Sequence, residues 1–158
     1  MILMGTGSRS LVLADPALRD AVDRWLLDRL AFHRPSLVVS GMAEGFDEAL
    51  ARAAVALKIP FLAAVPHPTY GQYYWGRKSL TGRDRLAEFD ALCRQAAGVE
   101  IGSQTLYVNG VHANFVRNAQ MVAMSDMALV YDAGSSGTRH AVEALRKAGK
   151  PMEVFVGH

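Results

Sequence analysis

The chain has 158 residues, of which 51% are hydrophobic and 20% charged, with a net charge of +2. That length fits one domain, residues 1–158, able to bury a core without a metal or a disulfide staple, and the weak charge, with no run of five like charges, gives no electrostatic reason to expect nucleic acid as a partner. The single cysteine, Cys93, excludes an internal disulfide, no Cys/His cluster has zinc-ligand spacing, no apolar run approaches the ~20 residues of a membrane span, and the first residues lack the pattern of a secretory leader. The expectation is a cytoplasmic protein away from the membrane, with no metal and no cofactor.

Ile2-Leu3-Met4 reads as a short buried strand that ends at the turn Gly5-Thr6-Gly7-Ser8-Arg9. Asp15-Pro16 opens a helix, because Asp caps the first turn and Pro suits it. Leu18, Val22, Trp25, Leu26 and Leu30 then fall at helical spacing. Leu37-Val38-Val39 is a second strand, followed by Ser40-Gly41-Met42-Ala43-Glu44-Gly45-Phe46-Asp47 and a helix carrying Phe46, Ala49, Leu50, Ala53 and Leu57. Phe61 to Val65 is a third strand.

Residues 66–82, with Tyr70, Tyr73, Tyr74 and Trp75 among glycines and prolines, read as a long aromatic loop, the kind that often carries function. A helix spans about 83–97, and Val99 to Val108 is ambiguous, with room for a short strand. His112 to Ser125 is a helix, Met127 to Tyr131 a buried strand, Thr138 to Gly149 a helix and Pro151 to Val156 a last strand. Apolar runs alternating with amphipathic helices predict an α/β fold: a single Rossmann-like domain, its mostly parallel sheet covered by helices on both faces.

In such a sheet the turns at the carboxyl ends of the strands gather on one edge, where ligands bind. Three glycine-bearing turns fall there: Gly5 to Arg9, Ser40 to Asp47, and Asp132-Ala133-Gly134-Ser135-Ser136-Gly137-Thr138. Glycine lets backbone approach a ligand, and the free N–H groups of a helix start point at an anion. None of the turns is a P-loop, since no Gly-Lys-Ser/Thr follows, and none has the G-x-G-x-x-G spacing. Arg117 and Asn118 lie in an otherwise apolar helical stretch with Met121. A guanidinium there is suited to a phosphate or a carboxylate, with Asp126 or Asp132 as the structural alternative. Glu44 and Asp47 are the acidic candidates, either for chemistry or as ordinary helix-start carboxylates. His67, His112 and His140 are scattered and suggest no base.

These turns, in this order, resemble the SLOG superfamily, the Rossmann-like group that includes the YpsA-like proteins, the DNA-processing protein DprA and the cytokinin-activating LOG phosphoribohydrolases. The resemblance rests on Gly5-Thr6-Gly7-Ser8-Arg9, Gly41-Met42-Ala43-Glu44-Gly45-Phe46-Asp47, Arg117-Asn118 with Met121, and Ser136-Gly137-Thr138. It implies a nucleotide or nucleotide-derived ligand held by Gly5, Thr6, Gly7, Ser8, Arg9, Ser40, Gly41, Met42, Ala43, Gly45, Arg117, Asn118, Met121, Asp132, Gly134, Ser135, Ser136, Gly137 and Thr138. The LOG motif ends in a catalytic Glu, and the matching position here is Ala141, with Glu143 two residues on. Binding is therefore expected ahead of cleavage. If an N-glycosidic bond is cut, Glu44 or Asp47 must supply the carboxyl. Single-stranded DNA binding follows only by analogy and nucleic acid is not the expected partner. The family analogy further implies a homo-oligomer, with the helix of Trp25 and Leu26 or that of Phe115 as the apolar face.

Overall fold

The computed structural model describes residues 1–102 and 110–157, the side chains of 110–112 excepted. Six strands, β1 (Ile2–Gly7), β2 (Leu37–Ser40), β3 (Phe61–Val65), β4 (Gly98–Ile101), β5 (Met127–Tyr131) and β6 (Met152–Val154), form one sheet in the order β4-β3-β2-β1-β5-β6. Every pairing is parallel. The predicted α/β class therefore holds. The order runs outward from β1 to β4, then returns past β1 to β5, which makes the β1/β5 junction the topological switch point.

The helices are α1 (Pro16–His33), α2 (Phe46–Ala56), α3 (Leu86–Arg94), α4 (Gly110–Met124) and α5 (Ser136–Lys147). Two apolar clusters lie on opposite faces of the sheet. Leu3, Val38, Phe61 and Leu129 meet α1, α2 and α3, whereas Met4, Val39, Ala128 and Val130 meet α4 and α5. The alternation of Leu3 and Met4 between the two clusters is the period-2 geometry of a strand covered on both sides. Local chemistry starts α1 as the sequence suggests: Asp15 accepts from the Leu18 N–H and Pro16 fills the first turn. No described helix is long and apolar enough to cross a membrane.

Three expectations change in detail. Gly5 and Gly7 are not turn residues but the last half of β1, paired to Leu129 and Tyr131 of β5. The pairing of β1 with β5 continues past Met4 because the glycines leave room for α2. A Cβ on Gly7 would come within 2.4 Å of the Phe46 ring, and one on Gly5 within 2.4 Å of Leu50. The stretch 66–82 is no open loop. Gly71–Arg77 winds as a π-helical turn, and Tyr70 and Trp75 are buried, with the Trp75 indole N–H donating to the Met42 carbonyl at 2.7 Å. The ambiguous stretch 99–108 contributes β4 as far as Ile101, and residues 103–108 lie outside the described residues.

Candidate functional site

The carboxyl ends of β1, β2 and β5 surround a cleft of about 270 Å³ on the α4/α5 side. Gly5, Thr6, Gly7, Ser8 and Arg9 come from β1 and its exit, Ala43 from the β2–α2 connection, Asp47 from the first turn of α2, and Arg117, Asn118 and Met121 from α4. Ser135, Ser136, Gly137 and Thr138 form the wall at the start of α5. The cleft thus unites residues from all three turns singled out in the sequence.

The α5 end exposes the start of a helix. Ser135 caps the helix, its Oγ accepting from the Thr138 N–H at 3.3 Å and donating to Thr138 Oγ1 at 2.8 Å. The N–H groups of Ser136 and Gly137 have no partner within the helix they open. Asp132 Oδ1 accepts from the Gly134 N–H at 2.9 Å and so shapes the turn from outside, with Gly134 at φ +86°. From α4, the Asn118 side chain donates to the Gly137 carbonyl at 3.2 Å. A Cβ on Gly137 would meet nothing within 4 Å, so space is open beside it.

The β2 end differs. Arg117 is buried, and its Nη1 donates to the Gly41 carbonyl; its Nε is buried without a hydrogen-bond partner among the described residues. Asp126 and Asp132 are not among its partners: Asp126 accepts from the Ile2 N–H, and Asp132 from Gly134. The guanidinium also lies 6.0 Å from the Tyr70 ring centre. Asp47 is 6% exposed, with Oδ2 accepting from the Ala43 N–H at 3.3 Å and Oδ1 buried without a partner among the described residues. Burial pushes its carboxyl up to about 6, against the pull of Arg117 and the Ala43 N–H. Arg9 stands over the Tyr74 ring, 5.0 Å from its centre, and its Nε and Nη2 lack hydrogen-bond partners among the described residues.

Several expected site residues lie behind the cleft instead of in it. Gly41 underlies Arg117 and Asp47, with no room for a Cβ between them. Gly45, at φ +84°, packs on the Ser8 and Arg9 carbonyls, and Met42, at φ +61°, is buried in the core. Ser40 donates its hydroxyl to the Asp47 carbonyl at 2.9 Å and thereby fixes the first turn of α2. Glu44 is 0% exposed and is held by Arg85 Nη1 at 2.9 Å, the Ser79 hydroxyl at 2.6 Å, the Leu80 N–H at 2.9 Å and Arg9 at 3.7 Å. It does not line the cleft, so of the two acidic candidates only Asp47 faces it. Ala141 is buried on the inner face of α5 and Glu143 is exposed, so neither offers a carboxyl to the site.

Four lining residues escaped the sequence reading: Tyr70, Tyr74, Asn114 and Phe115. Asn114 stands four residues before Asn118 and seven before Met121, so helical periodicity could have found it. Tyr70 and Tyr74 share an i, i+4 spacing inside the aromatic stretch. Phe115 stacks on His140, ring centres 4.1 Å apart. Of the residues suggested for pairing of chains, Leu26 is buried, Trp25 packs on Phe155 at 5.5 Å, and Phe115 lines the cleft. Cys93 is half-buried, and burial with nearby Asp90 pushes its thiol up to about 11. Among the described residues, no cluster of His, Cys, Asp and Glu could hold a metal ion.

Fold and cleft together define a doubly wound, Rossmann-like α/β domain with an anion-suited crevice at its switch point. Among solved structures, DNA processing protein A from Helicobacter pylori, studied for its single-stranded DNA binding, superposes with a TM-score of 0.68 at 18% identity over 100% of this chain and 66% of that one. DNA processing protein A from Streptococcus pneumoniae gives 0.66 at 16% identity, over 99% of this chain and 50% of that one. The structural-genomics target TM1055 gives 0.62 at 16% identity, over 96% and 71%. This chain therefore spans from half to about two-thirds of the two DNA processing proteins. The likeness establishes the fold, in agreement with the resemblance carried by the motifs. No family model and no curated protein matches the sequence.

Proposed function

We propose that the chain binds a nucleotide-derived, phosphorylated small molecule in the β1/β5 cleft, as a sensing or sequestering module. The observation that carries this reading is the capped start of α5, whose first N–H groups open on the cleft beside Gly137. Arg9 and Arg117 add positive charge against the single carboxyl of Asp47. A volume of about 270 Å³ suits one small ligand. Calorimetry with 5′-AMP and adenosine tests the reading. AMP is expected to bind about tenfold or more tightly than adenosine, since charge-assisted bonds to the phosphate are worth ~1.5–3 kcal/mol. Gly137→Val, which places its side chain in open space, should keep the melting temperature and lose AMP. Equal binding of AMP and adenosine, or no binding of either, rejects the proposal.

Two further readings have a specific support each. Asp47, with its carboxyl raised to about 6 in the cleft, is suited to proton transfer in cleavage of a nucleoside 5′-monophosphate at its N-glycosidic bond. Release of free base from a panel of monophosphates, followed by chromatography, is the measurement that separates cleavage from binding. The likeness to DNA processing protein A brings single-stranded DNA back as a partner, against the expectation from charge alone. Fluorescence anisotropy with a labelled oligonucleotide addresses it, and strong salt dependence of that binding is expected if it occurs.

A further inference from the structure

We propose that Asp47 reads the ribose of the bound molecule, so that the cleft takes ribonucleotides in preference to 2′-deoxyribonucleotides. The inference rests on the phosphate site proposed above and adds to it what stands at the other end of the cleft.

Asp47 is 6% exposed and lines the cleft; Oδ2 is taken by the Ala43 N–H, while Oδ1 is buried and has no hydrogen-bond partner among the described residues. A buried carboxylate oxygen left without a donor is costly, and the cost falls when a ligand brings one. The neighbouring cations do not supply it. Arg117 of α4 gives its Nη1 to the Gly41 carbonyl, and Arg9, beyond β1, stands over Tyr74. Both act on Asp47 through charge alone. An ionised carboxylate accepts and cannot donate. It thus favours a hydroxyl or amine and disfavours a second phosphate.

Position narrows the choice. The α5 turn follows β5 and Asp47 follows β2, with β1 between them. Two strand spacings separate those ends, about 10 Å. With a phosphate at the α5 turn, the sugar crosses the end of β1 at Thr6, and its vicinal hydroxyls come next toward Asp47. Tyr74 and Phe115 also bring ring atoms to the cleft wall, with Arg9 over Tyr74 and His140 stacked on Phe115, and such apolar lining suits a base. The carboxylate is left to the sugar edge.

The test is calorimetry at about pH 8, where Asp47 is charged, with three probes: 5′-AMP, 2′-deoxy-5′-AMP and 5′-IMP. The wild type should bind AMP and IMP alike and 2′-deoxy-AMP about ten- to hundredfold more weakly. Asp47→Ala should bring the ratio of AMP to 2′-deoxy-AMP affinity near one. Asp47→Asn, which keeps the shape and a neutral acceptor, should give an intermediate ratio and serves if the alanine variant does not fold. Equal binding of AMP and 2′-deoxy-AMP by the wild type overturns the inference and leaves the phosphate site standing. So does a loss confined to IMP, which would assign the carboxylate to the exocyclic amine of the base. An unchanged ratio in both variants also overturns it. Failure of every nucleotide to bind overturns this inference together with the reading it rests on.

Discussion

Glu44 and Asp47 lie three residues apart, one just before α2 and one in its first turn, and both carboxyl groups are buried, yet they face opposite circumstances. On the α1–α3 side, Glu44 belongs to a network in which each oxygen has a donor: Arg85, Ser79 and the Leu80 N–H hold it, and Arg85 also binds Glu48 at 2.6 Å and pairs with Glu88. On the cleft side, an Asp47 oxygen and N–H groups of Arg9 and Arg117 lack hydrogen bonds among the described residues, although Arg9 Nη2 stands 3.7 Å from Glu44. Folding alone rewards the first arrangement and penalises the second. The polar groups of the network are satisfied by the fold, and those of the cleft are the ones the proposed ligand would satisfy. The same division separates the glycines: Gly5 and Gly7 have no room for a Cβ beneath α2, whereas Gly137 has open space beside the cleft.

Arg85 separates the two carboxyl groups most strongly. Its side chain is 8% exposed, lies 4.7 Å from the Trp75 ring centre and joins three carboxylates. Arg85→Ala leaves Glu44 and Glu48 as buried like charges and should cost about 3–5 kcal/mol of stability, read as a shift of the urea midpoint. A loss below about 1 kcal/mol would place the network among surface ion pairs and remove the contrast.

Asp47 should act in the opposite direction. Its carboxyl is raised from 3.8 to about 6 in the folded chain, so between those values the native state holds more protons than the unfolded chain. Stability from this group is therefore greatest below pH ~4 and falls as pH rises through about 6, by about 3 kcal/mol in all. Glu48 runs against it: burial raises its carboxyl, but bonds from Arg85 and Arg52 outweigh burial and lower it, which favours the fold as pH rises. The difference between wild type and Asp47→Asn isolates the Asp47 part. The variant should gain stability relative to wild type as pH goes from about 4 to about 7, followed by thermal melts across pH. A flat difference would mean that Oδ1 is not deprived of partners in solution.

The glycines sharpen the same division. Gly7→Ala forces a methyl group into the Phe46 ring and should cost about 1–3 kcal/mol. Gly137→Ala sits at a helix start with nothing within 4 Å and should change stability by less than about 0.5 kcal/mol. Equal melting temperatures for the two variants would show that α2 yields to the added methyl.

The sheet was legible because continuous apolar runs such as Leu37-Val38-Val39 and Met127 to Tyr131 alternate with helices, and no competing pattern fits them. Ser135 to Thr138 was legible because capping residues and glycine mark a helix start wherever they occur. The reading of Gly5-Thr6-Gly7 as a turn went astray for a physical reason. Glycine after a strand signals either a turn or the close approach of another element, and only the packing of Phe46 and Leu50 decides between them. Glu44 and Asp47 were equivalent in sequence because their difference lies in Arg85 and Ser79, some 35 to 41 residues away along the chain. Tyr70 and Trp75 stayed hidden in an apparent loop, since a π-helical turn carries no short-range signature of its own.

The smallest effect is expected at Thr138, and its value lies in being small. The residue is 2% exposed, and its Oγ1 accepts from the Ser135 hydroxyl at 2.8 Å. Thr138→Val keeps the side-chain shape and keeps the cap, because the bond to Ser135 Oγ takes only the backbone N–H from Thr138. What is lost is one hydroxyl at the cleft wall, among several donors available to a phosphate. Affinity for AMP should fall by about 1 kcal/mol or less, near fivefold, and the melting temperature should move by only a few degrees. Calorimetry and a thermal melt on the same sample read both. A half-buried hydroxyl on the α1–α3 side, such as that of Ser79 bound to Glu44, would be expected to show the reverse pattern, with stability lost and affinity kept. If Thr138→Val instead melts as early as Arg85→Ala, the α5 turn is as much a part of the fold's support as the Glu44 network. The cleft would then lose its standing as a set of groups held in readiness for a ligand.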